Sequence, residues 1–244
     1  MVHPTTLRRH GSIAPSGRGV RLRAFDQAAR GGRTIFPSRV FDPDEVQRGL
    51  KSGHQSRKIG AVVTKGRLKG APIYTLTLEE RATCPRTCLH WLDCYGNNMQ
   101  AAERMVWGAA LEAMLEVELQ ELAQDYPAGF LVRLHVLGDF ASIDSVAFWR
   151  RALRDHPPLN VFGFTAHAPQ SDIGQAVAML AVDFGWSRAA IRFSGAPHEE
   201  RAARVVEAGQ RDDAAIACPA QTGATECCAT CALCWQSTRS IAFG

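Results

Sequence analysis

The sequence predicts an α/β protein built on a full or partial parallel (β/α) barrel, with a flexible basic leader at residues 1–34 and a cysteine-rich extension at 218–244. Three observations carry this. Short apolar runs of β-forming residues alternate with longer stretches whose apolar positions recur every three or four residues, the pattern of parallel strands joined by helices. Residues 1–70 hold 15 Lys and Arg against 4 Asp and Glu, net +11, whereas the remainder is net −7. The eight cysteines fall in two groups, Cys84 to Cys94 and Cys218 to Cys234. A chain of 244 residues with 46% hydrophobic content suffices for one domain with a full core.

Residues 1–34 mix Gly, Ser, Pro and Arg without periodicity and read as flexible, so the ordered body is expected from about Ile35 through 217. Asp42-Pro43-Asp44-Glu45 has the cap and acidic first turn of a short helix. Gly60-Ala61-Val62-Val63 and the run from Ala71 to Leu78 read as strands, with Lys65 to Gly70 as the turn between them. From Asn97 to Gln124 the residues Met99, Ala102, Val106, Ala109, Ala113 and Val117 keep helical spacing, which predicts one long helix closed by Tyr126-Pro127-Ala128-Gly129. Phe130 to Val136 is a strand, and Val146, Trp149 and Leu153 mark a helix that stops at Pro157-Pro158. Val161 to Thr165 is the next strand, and Ile173, Val177, Leu180 and Phe184 stripe the next helix. Ala190 to Phe193 and Ala214 to Ala217 supply two more short strands.

Polar groups gather where these strands end. The first cysteine loop follows Leu78, His135 precedes Gly138 and Asp139, and Thr165 precedes His167, while Ser194 and Cys218 each follow a strand. Carboxyl ends of parallel strands share one face, where ligands and chemistry sit. His135, Asp139 and His167 are therefore the catalytic candidates, suited to binding metal, moving a proton or holding an amine. Gly138, Asp139, Thr165, Arg192 and Ser194 are the cofactor-binding candidates. Arg192 lies in an apolar strand, and a buried charge there needs a partner such as Asp139 or an anionic ligand.

The first ten residues lack the apolar run of a signal peptide, and no stretch approaches the roughly eighteen apolar residues of a membrane span. A cytoplasmic, reducing setting is expected, in which spaced thiols serve metal or catalysis rather than disulfides. Cys228, Cys231 and Cys234 form C-x2-C-x2-C, and the Cys218-Pro219 dipeptide adds a fourth thiol. Ferredoxin-type [4Fe–4S] clusters use this triplet spacing because a short loop can deliver each thiolate to a different iron. Zinc, the alternative metal, more often takes two separated C-x2-C pairs. Cys227 is either surplus or takes the place of Cys228. The first group, Cys84, Cys88 and Cys94, reads C-x3-C-x5-C and offers three thiols, with His90 as a further candidate ligand. One or two clusters are expected; the seven thiols could also meet on one rim.

Two resemblances follow from these residues. Ile73 to Leu78, Thr83-Cys84-Pro85, Arg133 to Phe140, Phe162 to Thr165 and Cys218-Pro219-Ala220-Gln221 resemble the phage and bacterial family named gene product eighty-eight, over about Ile59 to Phe243. Some members are described as replication initiators, yet this sequence has no tyrosine nucleophile beside a paired-histidine metal motif. The layout of strand, three-cysteine loop, helix and a second strand ending in Leu137-Gly138-Asp139-Phe140 is similar to radical S-adenosylmethionine enzymes. That resemblance implies a [4Fe–4S] cluster and S-adenosylmethionine at Gly138 and Asp139; the leading expectation is an iron–sulfur protein, a divergent radical-type enzyme acting on nucleic acid or a nucleotide-related substrate. The chain departs from it in having C-x3-C-x5-C for C-x3-C-x2-C, and in lacking the Gly-Gly-Glu form.

The basic leader suits neutralising the phosphates of DNA or RNA, although its region carries only Phe25, Phe36 and Phe41 as aromatics for base stacking. The rival reading is a non-enzymatic nucleic-acid-binding protein whose metal sites are structural. No Walker loop or dinucleotide fingerprint occurs.

Overall fold

A computed structural model describes residues 19–194, 200–206 and 212–243. In chain order the elements begin with α1 (Gln27–Gly31), β1 (Val40–Phe41), β2 (Lys51–Ser52), β3 (Ile73–Thr75), β4 (Arg104–Met105) and α2 (Ala109–Asp125). Next come β5 (Phe130–Leu134), α3 (Ile143–Asp155), β6 (Leu159–Thr165), α4 (Asp172–Phe184) and β7 (Ala189–Phe193). The chain continues through β8 (Ala203–Val205), β9 (Ile216–Ala217), α5 (Pro219–Thr222), α6 (Cys228–Cys231), α7 (Leu233–Gln236) and β10 (Ile241–Phe243). Among the described residues no helix is long and apolar enough to cross a membrane.

The expected α/β class with parallel strands is observed. The main sheet has the order β2-β3-β5-β6-β7, and every pairing in it is parallel except β2 with β3. A parallel sheet β8-β10-β9 and a parallel pair β1-β4 lie beyond it. Single parallel bridges, Leu78 with Met105 and Ser194 with Ala203, link the three at the carboxyl ends of β3 and β7.

The main sheet does not close into a barrel, because two strands expected in it go elsewhere. Gly60 has φ +81 and is packed so tightly against Cys227 and Ala229 that a Cβ would lie 2.7 Å from the Cys227 sulfur. The segment after it pairs antiparallel with 70–73, as the expected hairpin requires, through Gly70 N–H to Val63 O, Val63 N–H to Ala71 O and Ile73 N–H to Ala61 O, but only as a single bridge of Val62 with Pro72 and not as a strand of the main sheet. Ile216 and Ala217 pair with β10, the last strand, and leave β7 as an edge of the main sheet.

Sheet alternation assigns two different faces. Phe130, Val132 and Leu134 of β5, with Val161 of β6 and Ile191 of β7, join the core built by α2, α3 and α4. Leu131, Phe162 and Ala190 point the other way, into a second core closed by Ile59, Val63, Leu68, Ala229 and Trp235. That second face has no long helix over it. The turn at 59–71 and the cysteine-rich α6 and α7 cover it, so Arg133 on β5, His135 just after it and Arg192 on β7 lie beside the cysteine segments.

The long helix expected from Asn97 begins only at Ala109. Arg104 is the reason: its guanidinium donates to the carbonyls of Gly96, Met99 and Ala102, which a continuous helix would commit to its own N–H groups. It also binds Glu80 at 2.6 Å, both side chains being 0% exposed. Glu118 of α2 is a second buried carboxylate and accepts from Gly49 and Leu50 N–H at 2.6 and 2.9 Å.

The expected flexible leader also changes. Residues 1–18 lie outside the described residues, but 20–34 pack against the first cysteine loop. Leu22 N–H donates to Leu92 O, Trp91 Nε1 to Ala29 O, Arg33 to Glu79 and Thr34 Oγ1 to Glu80. The alternation-free sequence there encodes a strap held by polar contacts, with no apolar stripe for periodicity to reveal.

Arg104→Met leaves the Glu80 carboxylate buried without its cation. Chemical denaturation should register a loss of about 3–5 kcal/mol, partly recovered in the double variant with Glu80→Gln; a change within the scatter of surface substitutions would contradict this role.

Candidate metal centres and the cavity between the sheets

The chain leaves β3 through Leu78, Glu79 and Glu80 and enters the first cysteine loop at Arg81, whose φ of 66 places it in the left-handed region. The buried Arg81 guanidinium holds the loop from inside, donating to Trp91 O at 2.9 Å and Asn97 Oδ1 at 2.5 Å. With Glu80 tied to Arg104 and Thr34, both ends of the loop are anchored in the core.

Inside this frame Cys84, Cys88 and Cys94 line a cavity of about 260 Å³, joined by His135, Gly138, Asp139 and Ser194 from the strand ends. Of the seven catalytic and cofactor-binding candidates, these four are brought together with the thiols. Burial pushes all three thiols up, Cys94 to about 11. The His135 side chain is 3% exposed, its ring meets Phe140 edge-on at 4.9 Å, and its Nδ1 has no hydrogen-bond partner among the described residues. Burial, then the nearby Arg133 charge, lowers its pKa to about 3, so the ring is neutral at pH 7.

Asp139 joins loops. Its Oδ1 accepts from Phe140 N–H at 2.8 Å and its Oδ2 from Ala166 N–H at 2.7 Å, while its own N–H donates to Thr83 Oγ1. Burial raises its pKa against those hydrogen bonds. Gly138, at φ +79, lets the chain pass Thr83 and Leu78 where a Cβ would meet atoms at 2.6 and 2.7 Å. The carboxylate therefore ties the end of β5 to the end of β6.

Three other expectations are corrected. Thr165 is buried behind the cavity, where its hydroxyl receives His167 N–H at 3.2 Å. The His167 ring pairs through Nε2 with Phe140 O at 2.9 Å and does not line the cavity. Arg192 does not reach Asp139; its fully buried guanidinium donates to the carbonyls of Cys234, Arg239, Leu233 and Ser237. It organises the second cysteine loop instead of a cofactor. Ser194 does line the cavity, with its Oγ donating to Thr165 O at 2.9 Å.

In the second group Cys218, Cys228, Cys231 and Cys234 surround one small pit of about 10 Å³. Cys228 and Ala229 N–H donate to the carbonyls of Lys58 and Ile59, which docks α6 on the 59–71 turn. Cys227 is the residue before α6, and its sulfur sits 3.6 Å from Thr230 Oγ1, off the pit. Burial pushes Cys228, Cys231 and Cys234 up, Cys234 to about 11.

Arg133 is the residue the sequence reading passed over. It lines the cavity, lies over Phe164 at 4.6 Å, and its charge acts on Cys228 and Cys234 as well as on Tyr95. Neither Arg133 nor Arg192 forms a salt bridge among the described residues, which exist for Arg104 and others. An arginine inside an apolar strand was a readable signal at 133 as it was at 192.

All eight cysteines are free. Among the described residues no three His, Cys, Asp or Glu side chains are gathered so as to hold one metal ion. A zinc ion with Zn–S near 2.3 Å draws its sulfurs to about 3.8 Å from each other, whereas an iron–sulfur cube spreads its thiolates over separate irons. No family model, curated protein or solved structure matches the chain.

Gly138→Ala should destabilise the protein by about 1–3 kcal/mol or more, since strain adds to the clash. Gly70→Ala, also at positive φ (+90) but with nothing within 4 Å of the new Cβ, should cost less; equal losses in denaturant melts would contradict a close approach at Gly138.

Proposed function

We propose that the chain is a redox-active iron–sulfur protein with two clusters. Cys84, Cys88 and Cys94 hold the first, beside the cavity; Cys218, Cys228, Cys231 and Cys234 hold the second, closed under the C-terminal segment. The observation that carries this reading is the pair of buried guanidinium groups, Arg133 and Arg192, set against the thiols without a carboxylate salt bridge. Arginine does not deprotonate in a protein, and an unpaired buried charge costs several kcal/mol. Thiolate-ligated metal is anionic and supplies the missing charge where the arginines stand. Bound metal also removes the cost of ionising thiols that burial holds neutral.

Two further observations support it. The cavity volume of about 260 Å³ lies below the roughly 300–1,000 Å³ typical of pockets for organic ligands, which suits an inorganic group. Thr83-Cys84-Pro85, Arg133 to Phe140 and Cys218-Pro219, which carry the resemblance to the gene product eighty-eight family, are the segments that build the two sites. When bound, the clusters supply one-electron exchange; the protein's own part is to keep them dry and offset their charge.

Full-length protein purified without oxygen should contain about eight iron and eight acid-labile sulfide per chain. Cys231→Ser together with Cys234→Ser should bring both to about half, with the remaining iron held by the first site. Stoichiometric zinc without iron or sulfide would overturn the reading.

A further inference from the structure

The first site has one thiol fewer than a four-iron cluster has irons, so the identity of the fourth ligand decides whether that cluster is closed by the protein. The polar groups around the cavity can be taken in turn. Glu80 is held by Arg104 through both oxygens, at 2.6 and 3.2 Å. Both Asp139 oxygens accept backbone N–H groups. The His90 ring binds Asp93 through Nδ1 at 3.2 Å and is about one-third exposed. Tyr95 OH donates to Val136 O and Ser194 Oγ to Thr165 O. Lys58 and Gln221 have partners of their own, and Arg133 has donors only.

His135 differs from all of these. Its ring is enclosed, in the same cavity as the three thiols, and its Nδ1 is left without a partner. An orphaned buried polar atom is destabilising, a cost that a ligand removes. Imidazole nitrogen is a metal donor in its neutral form. The surroundings hold the ring: His135 directly follows β5, it lines the cavity together with Arg133 two residues before it, and Phe140 packs edge-on against the ring at 4.9 Å. A ring that carries an unsatisfied nitrogen thus borders the space the thiols border.

We propose that the His135 imidazole is the fourth protein ligand of the first cluster, giving a three-cysteine, one-histidine site. This rests on the iron–sulfur reading above and goes beyond it, since it closes the position at which an external cofactor would otherwise bind. A neutral imidazole in place of a thiolate leaves the cluster less negative and raises its reduction potential, as histidine ligation does in Rieske centres. Arg133 beside it acts in the same direction.

The test uses full-length protein purified anaerobically, from cells grown with natural or 15N-labelled histidine and reduced with dithionite. Pulsed EPR should show a directly coupled nitrogen whose pattern follows the label. In His135→Cys that coupling should disappear while iron and sulfide stay at the wild-type level and the midpoint potential moves negative. S-adenosylmethionine should leave the wild-type signal unchanged. A protein with full iron and sulfide but no histidine coupling, a coupling that persists in His135→Cys, or a signal altered by S-adenosylmethionine would overturn the assignment and leave the iron–sulfur reading standing. Absence of iron and sulfide would overturn both.

Discussion

Two positive charges that cannot be neutralised lie on the face of the sheet that no long helix covers. Arg133 and Arg192 occupy neighbouring ends of that face, and the rest of the architecture is arranged around holding them there. Four carbonyls of the C-terminal segment converge on Arg192, so the loop that carries Cys234 takes its shape from the guanidinium. Phe162 and Phe164 of β6 lie under Arg133, and Phe162 meets Trp235 of α7 at 4.5 Å between ring centroids. Aromatic rings and carbonyl dipoles offset part of the cost of such burial, but neither carries a full negative charge. On the proposed reading the thiols on the same face carry it, ionised by the metal they bind.

A second buried charge, Arg104, does a different task. Paired with Glu80 and three carbonyls, it holds the stretch from Gly96 to Ala102 out of helical geometry and fixes the far end of the first cysteine loop. The strap at 20–34 closes the loop from outside through Arg33, Thr34 and the Trp91 contact. The loop is long but anchored at many points. Such anchoring holds three thiols in one place without the regular structure that usually does so.

The parts of the fold governed by periodic apolar burial were legible in the sequence: β5, β6 and β7, and helices α3 and α4, fall where alternation and the three-to-four spacing place them. What was hidden is governed by single polar contacts. The apolar spacing of Met99, Ala102 and Val106 imitates a helix that Arg104 forbids. Gly60 looks like the start of a strand until its positive φ and the sulfur beside it are known. Asp139 carries the polarity of a catalytic group but satisfies two backbone amides, and Thr165 and His167 stand behind it. Conversely, Cys84, Cys88, Cys94, His135, Gly138 and Ser194 were readable because strand order brings their segments to one end of the sheet, and Cys218, Cys228, Cys231 and Cys234 because of their spacing.

The account depends on what the thiols bind, and X-ray absorption at the iron and zinc edges of the anaerobically prepared protein addresses that directly. Iron with a sulfur shell near 2.3 Å and a further shell of neighbouring iron atoms is the predicted spectrum. Zinc bound by sulfur at about 2.3 Å, with no metal neighbour and no iron edge, would contradict it.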